Sequence, residues 1–159
     1  MSPPKVATYR LQLRNGVGFA EAAALAPYLA RLGVSHLYLS PPLRARPGST
    51  HGYDGADPCR LDPALGGEAG FATLVAALRA HGLGLLVDIV PNHLGIGPDT
   101  PWWQDLLRWG RDGAGARIFD VDWDALAGGT PGKVLLPVLG ASYGEILAVG
   151  ELRLVVEAD

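Results

Sequence analysis

Hydrophobic residues fall in short runs along the chain, and glycine or proline stands where these runs end. The first, Val6 to Leu13 (VATYRLQL), is β-branched and aromatic in character and predicts a strand closed by Asn15-Gly16. From Phe19 to Leu32 the apolar positions Ala22, Leu25, Ala26, Leu29 and Leu32 follow helical spacing, with Pro27 predicting a kink or a weak first turn. Gly33 ends that helix, and Val34 to Leu39 (VSHLYL) reads as a second strand stopped by Pro41-Pro42. Phe71, Leu74, Val75 and Leu78 predict one face of a second helix, closed by Gly82. Leu83 to Val90 (LGLLVDIV) is a nearly continuous apolar run, the pattern of a strand buried on both faces.

Two stretches, LARLGVSHLYLSPP and LRAHGLGLLVDIVPNH, repeat one order: helix, glycine, strand, then polar residues and proline. Successive copies imply a right-handed βαβαβ arrangement, the beginning of either an open doubly wound sheet or a closed barrel. Between the copies, Arg44 to Gly67 is predicted to be a long polar loop, and loops of that length in a compact domain are usually functional. After Pro91 the texture changes. Asp99-Thr100-Pro101 is a good helix start, followed by a stripe of Trp102, Leu106 and Trp109. From Ile118 onward, IFDVDW, KVLLPVL, EILAVG and ELRLVVEA predict short strands separated by glycine-containing turns.

Composition narrows the picture. The chain's 159 residues give room for one compact domain, and 48% hydrophobic against 18% charged residues favours folding over disorder. A net charge of −3 with no basic run gives no electrostatic basis for binding nucleic acid or an anionic membrane. No apolar run approaches the roughly 20 residues that span a bilayer. Cys59 is alone, so no internal disulfide is expected, and Met-Ser-Pro-Pro-Lys-Val lacks the apolar stretch of a secretory signal. A cytoplasmic protein is predicted.

The candidate chemistry lies just past the predicted strands. Asp88 falls near the C-terminal end of the apolar run, where a carboxylate is costly unless donors or a cation satisfy it. That end of a parallel sheet is also where ligands bind, and Asn92 and His93 follow just beyond. An ordinary turn-capping Asp with a surface His fits the same residues. His51-Gly52-Tyr53-Asp54, followed by Asp57, comes after the preceding strand and should face the same rim. Gly52 permits close backbone approach, and Tyr53 offers a flat ring with a hydroxyl, a combination suited to a sugar; a polar turn with a packed Tyr is the plainer alternative. His51, Asp54, Asp57, Asp88 and His93 carry metal-ligand chemistry, but no HxH or HExxH spacing accompanies them, and no metal or cofactor is predicted. Trp102 and Trp103 could stack on sugar, although their spacing with Leu106 and Leu107 favours packing. Asp120, Asp122, Asp124, Glu145 and Glu151 are given no catalytic role.

DIVPNH, LYLSP and HGYDGAD, in their places along the chain, resemble the α-amylase superfamily of glycoside hydrolases and transglycosylases. TYRLQ, GVSHLYLSP, PGSTHGYDGAD, VPNHLGI with its following Trp pair, IFDVDW and GKVLLPVLGASYGE are similar to its trehalose-forming branch. The resemblance implies an α/β fold, a partial (β/α)8 TIM barrel with its first three strands and two helices, carrying a β-rich B-type subdomain insertion. Residues 1–93 would be the N-terminal part of the catalytic barrel and residues 94–159 an incomplete B-type subdomain. It implies an α-1,4-glucan or maltooligosaccharide as substrate, with the reducing-end α-1,4 linkage converted into an α,α-1,1 linkage by intramolecular transglycosylation. A non-catalytic α-glucan-binding fragment and another α-amylase-type glycosidase are the alternative expectations.

The resemblance further implies that Asp88 and His93 border the subsite of the rearranged sugar, that His93 contacts sugar hydroxyls, that Asn92 shapes the loop and that Tyr53 stacks on the ring. His51 and Asp54 join the substrate-binding set by lying in the same motif. Such chemistry uses a carboxylate nucleophile and a carboxylic acid roughly 5 Å apart. In the superfamily these follow the fourth and fifth barrel strands, which this sequence does not contain, so no catalytic residue is predicted here. The chain is expected to be inactive alone, and the remainder of the barrel is an expected partner.

Overall fold

A computed structural model describes residues 7–124, 132–134, 136, 138–153 and 155–156. These form two compact units, the first ending at Phe119 and the second beginning at Asp120.

The first unit is organised by three parallel strands, β1 (Thr8–Leu11), β2 (His36–Leu39) and β5 (Gly84–Val87), in the order β1-β2-β5. Their registers align Thr8, His36 and Gly84 at one end and Leu11, Leu39 and Val87 at the other, so all three strands finish together. Side chains alternate across a strand, so Leu11, Leu37, Leu39 and Leu85 share one face and Arg10, Tyr38 and Leu86 the other. The leucine face is covered by helices. Leu37 and Leu39 are fully buried against Phe19, Ala22, Ala26, Leu29, Leu74 and Leu78. On the opposite face His36 lies over Gly84, where a Cβ would overlap its imidazole ring.

Helix α1 (Phe19–Ala24) opens with the Glu21 carboxylate accepting the Gly18 N–H at 2.8 Å. Helix α2 (Ala26–Leu32) restarts directly after it, with Pro27 in its first turn and Gly33 ending it in the left-handed region. The disturbance expected at Pro27 is therefore a full break into two helices. Helix α3 (Gly67–Ala80) buries Leu74 and Leu78, and its Phe71 ring meets Phe19 edge-on at 5.4 Å.

Three expectations need correction. The stretch from Arg44 to Gly67 is no open loop. It holds an antiparallel pair, β3 (Leu43–Ala45) and β4 (Gly55–Leu61), with irregular register. Its strand pattern is hidden because β4 contains Pro58 and exposes Pro58, Cys59 and Arg60. Secondly, β5 is not buried on both faces: it is an edge strand, Leu85 and Leu86 are half-buried, and Val87 and Ile89 are exposed. Thirdly, among the described residues no strand follows Val87, where a β-rich excursion was expected.

Helix α4 (Pro101–Trp109) begins at Thr100-Pro101 as predicted, but its buried stripe is Trp103 and Leu106 while Trp109 is exposed. Ile118 follows a short 3-10 turn (Ala114–Arg117), and the Phe119 ring packs on Trp103 at 5.2 Å. In the second unit, EILAVG lies largely in helix α5 (Tyr143–Ala148). Ser142 and Glu145 cap each other reciprocally, with Glu145 Oε2 accepting the Ser142 N–H at 3.0 Å and Ser142 Oγ accepting the Glu145 N–H at 3.4 Å. That pairing satisfies two free donors of a first helical turn and decides the conformation locally. Parts of KVLLPVL and ELRLVVEA lie outside the described residues. Among the described residues no helix is long and apolar enough to cross a membrane.

Candidate functional site

The aligned strand ends of β1, β2 and β5 create a rim, and the residues that follow them keep the same alternation. Arg10 and Tyr38 therefore lie on the open face beside Asp88, which continues β5 and donates its backbone N–H to Leu39 O at 3.0 Å. The loop before β4 brings Tyr53 across to them. Its hydroxyl donates to Asp88 Oδ2 at 2.6 Å and accepts from Arg10 Nη2 at 2.9 Å. The Tyr38 hydroxyl reaches the same Asp88 oxygen at 3.4 Å. Arg10 Nη2 stands 4.0 Å from that oxygen and its guanidinium lies 5.6 Å from the centre of the Tyr38 ring. The other oxygen, Asp88 Oδ1, takes part in no hydrogen bond among the described residues. The Asp88 side chain is 18% exposed, so an incoming donor could reach it. The hydrogen bond to Asp88 and, after it, burial hold the Tyr53 phenol above its ordinary range, while Arg10 pulls it down.

The segment after Asp88 is fastened to the same loop. His93 Nε2 lies 3.0 Å from Tyr53 O, and Gly95 N donates to Gly55 O at 2.7 Å. A carbonyl only accepts, so His93 donates from Nε2, and its Nδ1 lies 3.2 Å from Asn92 Oδ1. Asn92 and His93 are both exposed at the rim.

His51 and Asp54 are arranged differently. His51 Nδ1 accepts the Tyr53 N–H at 3.0 Å, and its ring stacks 6.0 Å from Tyr53. A nitrogen that accepts that N–H has no proton for Asp54 Oδ1, 3.9 Å away, so the two form no true ion pair. Asp54 accepts from Ser49 Oγ, whose oxygen in turn accepts the Gly52 N–H at 3.0 Å, and the Asp54 carbonyl accepts from Arg46 N at 3.1 Å. Asp54 thus shapes the turn. Gly52 is obligatory there: φ is +82°, and a Cβ would lie 2.9 Å from both Arg14 Nε and Pro41 O. Asp57 turns away, accepting the Cys59 N–H at 2.9 Å and pairing with Arg60 at 3.6 Å.

The structure therefore brings together Tyr53, Asp88, Asn92 and His93, with His51 and Asp54 supporting the loop that carries Tyr53. Reading the sequence missed Arg10, Tyr38 and Gln12. Gln12 joins Arg10 Nη1 at 3.3 Å to the His51 carbonyl, also at 3.3 Å. The available signal was parity, since in TYRLQL the leucines face the core and Arg10 and Gln12 therefore face the rim. A cavity of about 820 Å³ lined by Glu21, Arg46, Ser49 and Asp62 contains none of Tyr53, Asp88 or His93 and is separate from this rim.

Residues 24–109 match the family model of the alpha amylase catalytic domain. A Mycobacterium tuberculosis protein named as a maltooligosyl trehalose synthase is 47% identical over 98% of this chain, which spans 22% of that relative. An intracellular maltogenic amylase of Bacillus subtilis is 41% identical over 52% of the chain and 13% of its own length. Among solved structures, the maltooligosyltrehalose synthase of Arthrobacter ramosus is 44% identical with a TM-score of 0.81, over 89% of this chain and 18% of its own. Another maltooligosyl trehalose synthase structure is 38% identical with a TM-score of 0.86, over 96% of this chain and 20% of its own. The chain thus spans about a fifth of the length of these trehalose synthase relatives.

Proposed function

Because the chain belongs to the alpha-amylase catalytic-domain family, we propose that it supplies one sugar-binding wall of a maltooligosyl trehalose synthase. The reaction is an intramolecular transglycosylation that moves the reducing-end glucose of a maltooligosaccharide from an α-1,4 to an α,α-1,1 linkage. The observation that carries this reading is the knot of Tyr53, Asp88 and Arg10, in which one carboxylate oxygen is fixed by phenols and the other is left open.

Asp88 Oδ1 accepts a sugar hydroxyl, and the Tyr53 ring covers an apolar sugar face beside it. His93, held by its Nε2 against the Tyr53 carbonyl, keeps Asn92 and the post-Asp88 segment against the ligand. His51 and Asp54 complete the set by fixing the Tyr53 loop. The nucleophile and the acid come from segments outside these 159 residues, packed along the free edges of β1 and β5. The enzyme works in the cytoplasm, which suits the exposed, unpaired Cys59.

Calorimetric titration with maltopentaose tests the wall directly. Saturable binding at millimolar ligand is expected, weakened at least about tenfold in Tyr53→Ala, equivalent to ~1.4 kcal/mol. No saturable binding, or binding indifferent to Tyr53, refutes the reading. Product analysis tests the rest: the chain by itself should leave the reducing ends of maltopentaose unchanged.

A further inference from the structure

Beyond the motif residues, and resting on the reading of the rim as a glucan-binding wall, we infer that Arg10 is its positioning residue. Its guanidinium ties three separate segments of the rim into a single arrangement. Arg10 stands on β1, Tyr53 on the loop before β4, and Asp88 beyond β5, and the Tyr53 hydroxyl joins all three. Neither β1 nor β5 pairs directly with the other, since β2 lies between them. The sheet sets the spacing of the two outer strands through β2, and Arg10 and Tyr53 bridge that span with side chains.

The guanidinium also sets the direction of the hydrogen bonds. Arginine only donates, so the Tyr53 oxygen receives the Nη2 hydrogen and its single proton is committed to Asp88 Oδ2. Asp88 is then an acceptor with one oxygen engaged and the other free. The second arm, Nη1, engages Gln12, whose amide reaches the His51 carbonyl in the same turn as Tyr53. The flat face of the guanidinium lies over Tyr38, which also donates to Asp88. A lysine could supply the charge but could not hold this fork.

Stability does not explain the arrangement. The Arg10 side chain is 42% exposed and 4.0 Å from Asp88, a geometry worth little as an ion pair. What Arg10 does hold is the orientation of Tyr53. Its charge also acts on the Tyr53 phenol, lowering it against the stronger upward pull of Asp88.

The test follows the Tyr53 ring by NMR of tyrosine-labelled protein, assigned with Tyr53→Phe, alongside maltopentaose affinity. In Arg10→Met the Tyr53 titration should move to higher pH and affinity should fall about fivefold to tenfold, the size of one ordinary hydrogen bond. Arg10→Lys should bring the titration back toward wild type while affinity stays intermediate. If wild type binds and Arg10→Met binds equally well, the inference is overturned, whatever the titration does. If wild type fails to bind but the titration moves as stated, the glucan reading falls and Arg10 keeps its positioning role. If neither binding nor a moved titration is seen, both fall. Should Arg10→Met not fold, Arg10→Lys decides: intermediate affinity supports the inference, and wild-type affinity with an unmoved titration overturns it.

Discussion

Arg10 and Arg14 come from the same stretch of chain and each meets an aspartate, yet the two pairs are built in opposite ways. Arg14 Nη2 touches Asp62 Oδ2 at 2.8 Å, and both side chains are 7% exposed. Asp62 is saturated further by the N–H groups of Ala45 at 3.2 Å and Ala64 at 3.0 Å. Arg10 and Asp88 stand 4.0 Å apart, linked through Tyr53, and the second Asp88 oxygen makes no hydrogen bond among the described residues. A buried carboxylate engaged at both oxygens has no free acceptor to offer a ligand, and it ties the segment after β1 to the end of β3 and to the turn that precedes α3. An incompletely satisfied pair at an edge contributes little to folding and retains the capacity to bind. Satisfaction of the carboxylate, more than its being charged or beside an arginine, separates a structural aspartate from a functional one.

The sharpest way to break this contrast is Asp62→Ala, which leaves the Arg14 charge buried and alone. A loss of about 3–5 kcal/mol in urea unfolding is expected. A loss no larger than that of Asp88→Asn would end the distinction. Gly52→Ala should follow, at about 1–3 kcal/mol, because it strains a left-handed backbone and presses on Arg14 and Pro41; the same denaturation curves measure it. Asp88→Asn should cost only about 1 kcal/mol of stability while removing detectable maltopentaose binding, measured on one protein preparation.

The smallest effect is expected at Glu145, whose carboxyl is held below its ordinary range by the Ser142 hydroxyl and N–H. A depressed carboxyl stabilises the fold above its unfolded pKa, and that contribution is lost as pH falls through the folded value. Glu145→Gln should therefore lower the neutral side of the stability–pH profile of α5 toward its acid side, followed by circular dichroism, so that the profile flattens, and leave the rim unchanged.

Much of the first unit was legible because its signals are local. The leucine periodicity of Leu74 and Leu78, the glycine stops and the Thr100-Pro101 start each specify an element without help from elsewhere. Asp88 and Tyr53 were legible as rim residues because one lies near the C-terminal end of a predicted strand and the other comes after one. Arg10 was not, because a lone arginine within VATYRLQL reads as an ordinary exposed strand residue until Tyr53 arrives from a distant loop. The β3–β4 pair escaped for a related reason: Pro58, Asp57 and the bulged register erase alternation, and only pairing reveals a strand. With EILAVG, apolar content outweighed a capping pair that was present in the sequence, Ser142 and Glu145.

The missing side chain at Gly84 acts as an index mark for the sheet. If β5 slid by one position along β2, Leu83 or Leu85 would have to share the volume of the His36 ring. The same slip would turn Asp88 through the sheet onto the leucine-lined side, stranding its charge in hydrocarbon. A single hydrogen atom in place of a methyl group thus determines, from the far end of the strand, which way the carboxylate looks. Any larger residue at that position would mis-aim the rim while leaving every residue of the rim itself intact.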